Sequence, residues 1–290
     1  MNQAKIIDWL FATGAIRVSP AGQPFWYTSG LIGPYYVNTH FLIGSEQSAN
    51  ELLALIDATR QEPLACTLKV RDFLRQQYAK NPIFKQVTDF LVHRVQTNYD
   101  LDTIDCISGG ERRDWFFSVL PAELLGKPHL AIFKDQKITL IDGENIAYCT
   151  QLPGAKVLHI SDLVTEASSY LRAWIPALAQ LGARMQATLT IVDRCQGGAT
   201  ALAAAQVPFA ALVRMDADLF AMAATQGYLS QEQHALVTSY LADPYASMRR
   251  FLLENPEFLQ DALDGDKRMA ERAERLIKGD LYNLADAQAK

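Results

Sequence analysis

A chain of 290 residues, 49% hydrophobic and 20% charged, is long and apolar enough for one or two domains with a sizeable core and too apolar to be disordered. The net charge of −5 excludes a broad nucleic-acid-binding face, which needs to be basic, yet leaves room for a local cationic site for a small anion. The four cysteines are scattered with no C-x-x-C pair and the five histidines show no i, i+4 pairing, so reduced thiols are expected and a metal site built on protein side chains is not. Lys5 and Asp8 fall where a secretory leader would be apolar. The uncharged segment 18–45 is broken by three prolines and four glycines, so no membrane helix is expected and the chain reads as cytoplasmic.

In chain order, Ile6, Ile7, Leu10 and Phe11 predict an amphipathic helix over 2–12, ended by Gly14. Residues 25–38 predict two short strands joined near Ser29-Gly30. Residues 46–100 carry three helical segments, the second set off by Pro63 and the third begun by Asn81-Pro82, an N-cap followed by proline at the first helical position. Their Arg71, Arg75, Lys80, Lys85 and Arg94 are expected on solvated faces. Residues 102–108 read as a core strand running into a Gly109-Gly110 turn. An apolar helix to Leu125 and a strand over 129–133 complete a βαβ unit. Arg112 and Arg113 stand at a helix start, where they oppose the helix dipole, so either a bound anion or Glu111 and Asp114 must answer them. Residues 138–145 show a hairpin pattern with Asp142-Gly143 at its turn.

The stretch from Lys156 to Tyr170 organises the rest. Val157 to Ile160 reads as a buried strand and Ser161 to Thr165 as a polar turn. Ala167, Tyr170, Leu171, Trp174, Leu178 and Leu181 then form a helical stripe. Strand, tight turn and helix aim free N–H groups and a positive helix end at an anion, although many α/β proteins carry the same arrangement with no ligand. Beyond it lie a strand over 185–192, the turn Asp193-Arg194-Cys195-Gln196-Gly197-Gly198, a helix over 199–206 and a strand over 208–213. The remainder is helical, with a capping box at Ser230 and Gln233, helix starts at Asp243-Pro244 and Asn255-Pro256, and no catalytic constellation.

Several of these stretches resemble type I phosphoribosyltransferases, and orotate phosphoribosyltransferases among them. Residues 161–169 resemble the phosphoribosyl-diphosphate (PRPP) signature of a strand, two acids, two apolar residues, Thr-Thr-Gly and small residues. Asp162, Leu163, Val164, Thr165, Ser168 and Ser169 fit, while Ser161 stands for the first acid, Glu166 for the second threonine and Ala167 for the glycine. Ser29, Gly30, Pro34, Tyr35, Tyr36 and Asn38 match the hood that covers the base, with Thr28 in place of a lysine and Gly33 in place of a serine. Gly109 and Gly110 match the pyrophosphate loop by position. Lys134, Asp135 and Lys137 match Arg-Lys-Glu-x-Lys, with Phe133 replacing the arginine, and the flexible His-bearing loop that follows in the family is missing or remodelled. Val192-Asp193-Arg194 with Gly197 is similar to the family's Val-Asp-Arg-x-x-Gly, whose arginine meets the base carboxylate.

The resemblance implies an α/β fold with a phosphoribosyltransferase-like parallel sheet flanked by helices. It divides the chain into an N-terminal helix and hood (1–45), a helical insert (46–100), a core (101–213) and a helical extension (214–290). Asp162, Lys134 and Lys137 would be catalytic. Gly109, Gly110, Arg112, Arg113, Thr165, Ser168 and Ser169 would hold phosphate or diphosphate, and Tyr35, Tyr36 and Arg194 the base. Mg²⁺ would accompany PRPP, with no metal held by protein side chains alone. The partner would be a small phosphorylated molecule, not nucleic acid or membrane, and the assembly a homodimer. The activity implied is transfer of phosphoribose from PRPP to a pyrimidine-like acidic base. The alternatives are a nucleotide or sugar-phosphate sensor that has lost turnover and a dimer scaffold with no ligand.

Overall fold

The computed structural model describes residues 3–20 and 22–284. The first residues of the helix expected over 2–12 and the last of the extension, 285–290, thus lie partly outside the described residues. In chain order the elements are α1 (Gln3–Ala12), β1 (Ile16–Val18), β2 (Phe25–Trp26), β3 (Ile32–Gly33), β4 (Tyr35–Val37), α2 (Glu46–Thr59), α3 (Pro63–Lys80) and α4 (Pro82–Asn98). There follow β5 (Cys106–Gly110), α5 (Trp115–Leu124), β6 (His129–Ile132), β7 (Ile138–Asp142), β8 (Asn145–Tyr148), β9 (Lys156–Val164), α6 (Ile175–Gln180), β10 (Arg184–Asp193), α7 (Gly198–Ala204) and β11 (Phe209–Arg214). The extension holds α8 (Ala217–Thr225), α9 (Gln231–Ala242), α10 (Pro244–Glu254), α11 (Glu257–Leu263) and α12 (Lys267–Lys278).

The chain forms two compact units, and they cut across the four segments read from the sequence. One holds the chain up to Ala15 with Asn38–Met215; the other holds Ile16–Val37 with the chain from Asp216 on.

The first unit is built on a seven-stranded sheet in the order β11-β10-β9-β5-β6-β7-β8. The five strands from β11 to β6 are parallel, as expected, whereas β7 and β8 add an antiparallel hairpin at one edge, so the sheet is mixed. Between Val157 and Asp162 every residue of β9 is buried, the pattern of a strand covered on both faces. The strand also runs four residues beyond Ile160, through Ser161–Val164, which a turn was expected to occupy. The reason is lateral. Leu163 and Val164 pair with Val192 and Asp193 of β10, and a ladder partner overrides the polarity of Ser161 and Asp162.

Several buried polar groups in this unit bond to one another. Ser161 Oγ donates to Thr190 Oγ1 at 2.9 Å, Tyr170 OH donates to Ser161 Oγ at 2.7 Å, and Ser108 Oγ lies 2.9 Å from His159 Nδ1. Ser161, where the family has an acid, is 1% exposed, and a carboxylate there would be buried among hydroxyls with no cation.

The insert packs α3 and α4 against α5, whose other side lies on β5 and β6. Arg71 and Arg75, expected on a solvated face, instead tie α3 to the edge hairpin. Arg71 Nη1 lies 3.1 Å from Glu144, and Arg75 lies 2.8 Å from Glu144 and 3.0 Å from Glu123. The hairpin expected over 138–145 is formed, and it turns at Gly143 (φ 57°), as the Asp-Gly pair predicts.

In the second unit the helices of the extension enclose the two hairpin-like ladders, β1 with β4 and β2 with β3. Trp26 stacks on Phe258 with ring centroids 5.4 Å apart, Arg272 donates to Trp26 O at 2.9 Å, and Tyr282 OH bonds the backbone of Ile32. Gly33 is forced by Tyr27, whose hydroxyl would lie 2.2 Å from a Cβ there. The capping box at Ser230 and Gln233 is formed, and Asp243 caps α10. At 255–256 the cap of α11 is Pro256, not Asn255, which closes α10 instead.

A candidate anion-binding cleft at the strand ends

Within the first unit the carboxyl ends of β5, β6 and β9 open onto a cleft of about 500 Å³. Open parallel sheets bind ligands at this end, because the loops after the strands are free to diverge there. The turn after β5 contributes Glu111, Arg112, Arg113 and Asp114; the end of β6 contributes Lys134; β9 and the turn after it contribute Asp162 to Ser169; Tyr170 and Trp174 form the floor.

Gly109 and Gly110 are not a turn. Both lie in β5, fully buried, and the turn begins after them. They are glycines for want of space: a Cβ on Gly109 would fall 2.1 Å from Ser118 Oγ, and one on Gly110 2.2 Å from Trp174 Cε2.

The acidic wall is a pair. Asp114 Oδ2 accepts from Gly110 N–H at 3.0 Å, and Oδ1 accepts from Asp162 N–H at 3.2 Å. Burial and the neighbouring Asp114 carboxylate push the Asp162 carboxyl well above the usual range, partly offset by Arg113. The cationic wall divides differently. Arg112 is bound to Asp57 of α2, and Glu111 accepts from Lys134 N–H at 2.9 Å with Arg60 3.6 Å away. Arg113 and Lys134 are exposed at the cleft and make no ion pair among the described residues. Burial, and after it Arg113 and Arg112, hold the His40 imidazole at a pKa of about 3, so that ring stays neutral and adds no charge.

The turn after β9 is pinned by the turn after β10. Arg194 N–H donates to Val164 O and Gly198 N–H to Thr165 O, each at 2.9 Å. Helical backbone begins at Ser168, so the N–H groups of this first turn have no acceptor inside the helix.

The comparisons with known proteins can now be set beside this geometry. No protein-family model and no curated protein matches the chain. Among solved structures, UMP synthase of Leishmania donovani is similar with a TM-score of 0.56 and 16% identity, over 83% of this chain and 42% of that one. Orotate phosphoribosyltransferase of Francisella tularensis is similar with a TM-score of 0.54 and 12% identity, over 81% of this chain and 96% of that one. The chain has the phosphoribosyltransferase fold.

On that fold, the structure brings Asp162, Lys134, Arg112, Arg113, Thr165, Ser168 and Ser169 into one cleft, with Gly109 and Gly110 directly behind it. Lys137 and Arg194 do not line it. Lys137 is 2.8 Å from Asp135, and Arg194 follows the neighbouring strand β10 with its Nε buried and without a hydrogen-bond partner. Tyr35 and Tyr36 belong to the second unit. Tyr35 is 3% exposed between Phe220 and Tyr240, and Tyr36 OH donates to Trp26 O at 2.5 Å. Sequence reasoning did not single out Asp114, Tyr170 and Trp174 as site residues. The only signal for Asp114 was its place beside two arginines, and its tie to Asp162 spans 48 residues. Among the described residues no His, Cys, Asp or Glu cluster could hold a metal by itself, and no helix is long and apolar enough to cross a membrane.

Two features of the cleft have measurable consequences. Ala167, at the signature's glycine, has φ 58°, a left-handed conformation that costs an L-residue about 1 kcal/mol or more. Ala167→Gly is therefore expected to raise stability by about 0.5–1 kcal/mol after the larger entropy of the unfolded glycine is subtracted, read as a higher melting temperature. Asp57 occupies Arg112 from the insert. Asp57→Asn is expected to tighten binding of inorganic diphosphate about two- to fivefold, the worth of a part-exposed ion pair, with calorimetry as the measurement.

Proposed function

We propose that the cleft binds a phosphoribosyl compound and that the protein transfers phosphoribose from PRPP to a pyrimidine-like acidic base. The observation that carries this reading is the coexistence, in one cleft, of two separate places for an anion. One is the Thr165–Ser169 turn with its free N–H groups and hydroxyls, suited to a 5′-phosphate. The other is Arg113 with Lys134, exposed cations that make no ion pair among the described residues, suited to a diphosphate. Asp162 stands among these groups and would take the ribose hydroxyls.

In this reading the bond from ribose C1 to diphosphate breaks as the base nitrogen attacks, and charge builds on the departing oxygen. Arg113 and Lys134 would stabilise that charge, the dominant contribution such a site can make. Asp162 and Asp114 line the cleft with carboxyl groups that would hold an Mg²⁺ ion brought in with the phosphates of PRPP. Bound, it would neutralise further charge on the leaving group. Arg194, whose Nε is buried without a hydrogen-bond partner at the end of β10, would meet a base carboxylate. A cytoplasmic homodimer is part of the same proposal.

A second reading, a sensor without turnover, is favoured by one specific observation: the edge hairpin is clamped to α3 by Arg71 and Arg75 where the family has a mobile catalytic loop. One set of measurements separates the two. Calorimetry with PRPP and Mg²⁺, orotidine monophosphate and uridine monophosphate reads binding, and release of diphosphate on adding orotate reads turnover. Binding with release supports the transferase; binding of a monophosphate with no release supports the sensor; no binding of any of them rejects both.

A further inference from the structure

Two indoles meet the diglycine end of β5, and only one of them is satisfied. Trp115 Nε1 donates to Gly109 O at 2.9 Å. Trp174 lies against Gly110 with its N–H edge: a Cβ on that glycine would fall 2.2 Å from Cε2 and 2.7 Å from Nε1. Trp174 lines the cleft and is otherwise buried, yet its Nε1 makes no hydrogen bond among the described residues and is not sealed into the core. An indole N–H that is withdrawn from bulk water ordinarily finds an acceptor, and it can only donate. The backbone that presents it is irregular. Tyr170–Trp174 is π-helical, with Ile175 N–H donating to Tyr170 O, and such turns recur at functional sites. Tyr170 anchors the near end of this turn in the sheet through Ser161 and Thr188, which leaves Trp174 facing the cleft at the far end.

We propose that Trp174 is a ligand-binding residue whose indole N–H donates to an oxygen of a diphosphate group in the cleft. This rests on the anion-binding reading above and adds to it a neutral, directional donor. Position supports the assignment. Trp174 belongs to the helical run that follows the Thr165–Ser169 turn, and its N–H edge meets Gly110, which leads into Glu111–Asp114. The donor therefore stands between the two places that suit an anion. Chemistry supports it as well. Arg113 and Lys134 attract an anion by charge, which acts from any direction, whereas a single N–H held by a packed ring fixes where one oxygen sits and adds no charge. Only a glycine at position 110 lets the indole come this close.

The probe is inorganic diphosphate, titrated into the full chain labelled with nitrogen-15 at tryptophan. The four tryptophans give four indole N–H signals, and that of Trp174 is assigned by through-bond correlation and by its loss in Trp174→Phe. At saturation the Trp174 signal is expected to move downfield, and further than the other three, as a donor does on gaining an acceptor. By calorimetry Trp174→Phe is expected to bind diphosphate about three- to tenfold more weakly, the worth of a neutral hydrogen bond, with an unchanged dependence on salt. Arg113→Gln should instead flatten the salt dependence, because it removes a charge. A Trp174 signal that stays in place while calorimetry records diphosphate binding overturns the proposal and leaves the anion-binding reading standing. Wild-type affinity in a folded Trp174→Phe overturns it equally. If Trp174→Phe does not fold, the wild-type titration decides alone. If diphosphate does not bind the wild type at all, the reading of the cleft itself fails and this inference with it.

Discussion

Gly110→Ala is expected to lower the unfolding free energy by about 2–3 kcal/mol, the cost of forcing a methyl group into a filled core. The new Cβ would lie 2.2 Å from Trp174 Cε2, 2.4 Å from Cζ2 and 2.7 Å from Nε1, all of them ring atoms of a side chain only 5% exposed. The backbone of Gly110 cannot retreat easily, because β5 is hydrogen-bonded to β6 and β9 on its two sides. Urea or thermal unfolding reads the loss directly. A second variant identifies its cause: in the Trp174→Phe background, where the indole bulk is gone, the same substitution should cost clearly less than it does alone. Additive losses would mean that the clash is not the mechanism. Because Gly110 leads straight into Glu111–Asp114, anion affinity should fall with stability, and this links a packing constraint in the sheet to the shape of the site.

Asp162→Asn is expected to make the protein more stable at neutral pH and worse at binding. The sign follows from proton linkage. Asp162 titrates well above its ordinary value of 3.8 in the folded protein, chiefly through burial and then through Asp114. At pH values between the two, the folded state keeps a proton that the unfolded state has released. Stability therefore falls as pH rises through that window, by up to about 1.4 kcal/mol per unit, and is fully present only below it. Asparagine removes the ionisation. The variant's melting temperature should exceed the wild type's at pH 7, by an amount equivalent to on the order of 1 kcal/mol, and the difference should shrink toward pH 3.5. Ribose 5-phosphate affinity should drop about tenfold or more, as expected for loss of a charged hydrogen-bonding group. A variant that is less stable at pH 7, or one that binds as the wild type does, would contradict the placement of a buried Asp162 carboxyl beside Asp114 in the cleft.

Where local chemistry alone dictates structure, the sequence was legible. Asn81-Pro82 caps and starts α4, with Asn81 Oδ1 accepting from Ile83 and Phe84 N–H. Asp142-Gly143 turns the hairpin, Ser230 and Gln233 form their box, and the run of apolar strands with intervening helices gives the parallel part of the sheet. Each of these depends on neighbours a few residues apart, so the chain carries the signal in its own order. The lengths of elements were less legible. β9 outruns its apolar stretch, and Gly109 and Gly110 lie in a strand and not in a bend, because pairing with adjacent strands outweighs local propensity.

By itself, then, the order of residues determined the class of fold and the position of the strand–turn–helix that starts with β9. Only the tertiary structure decided which charges are available. It neutralised Arg112 with Asp57 from the insert, left Arg113 and Lys134 open to the cleft, and set Asp114 against Asp162. It also placed Tyr35 and Tyr36 with the C-terminal helices in the second unit, and it turned Arg71 and Arg75 from a surface face into a clamp on the hairpin. The physical reason is range. Caps, turns and periodicity are fixed by contacts a few residues away, whereas the state of a charge is set by whatever the fold brings within a few ångströms, and no local pattern encodes that partner.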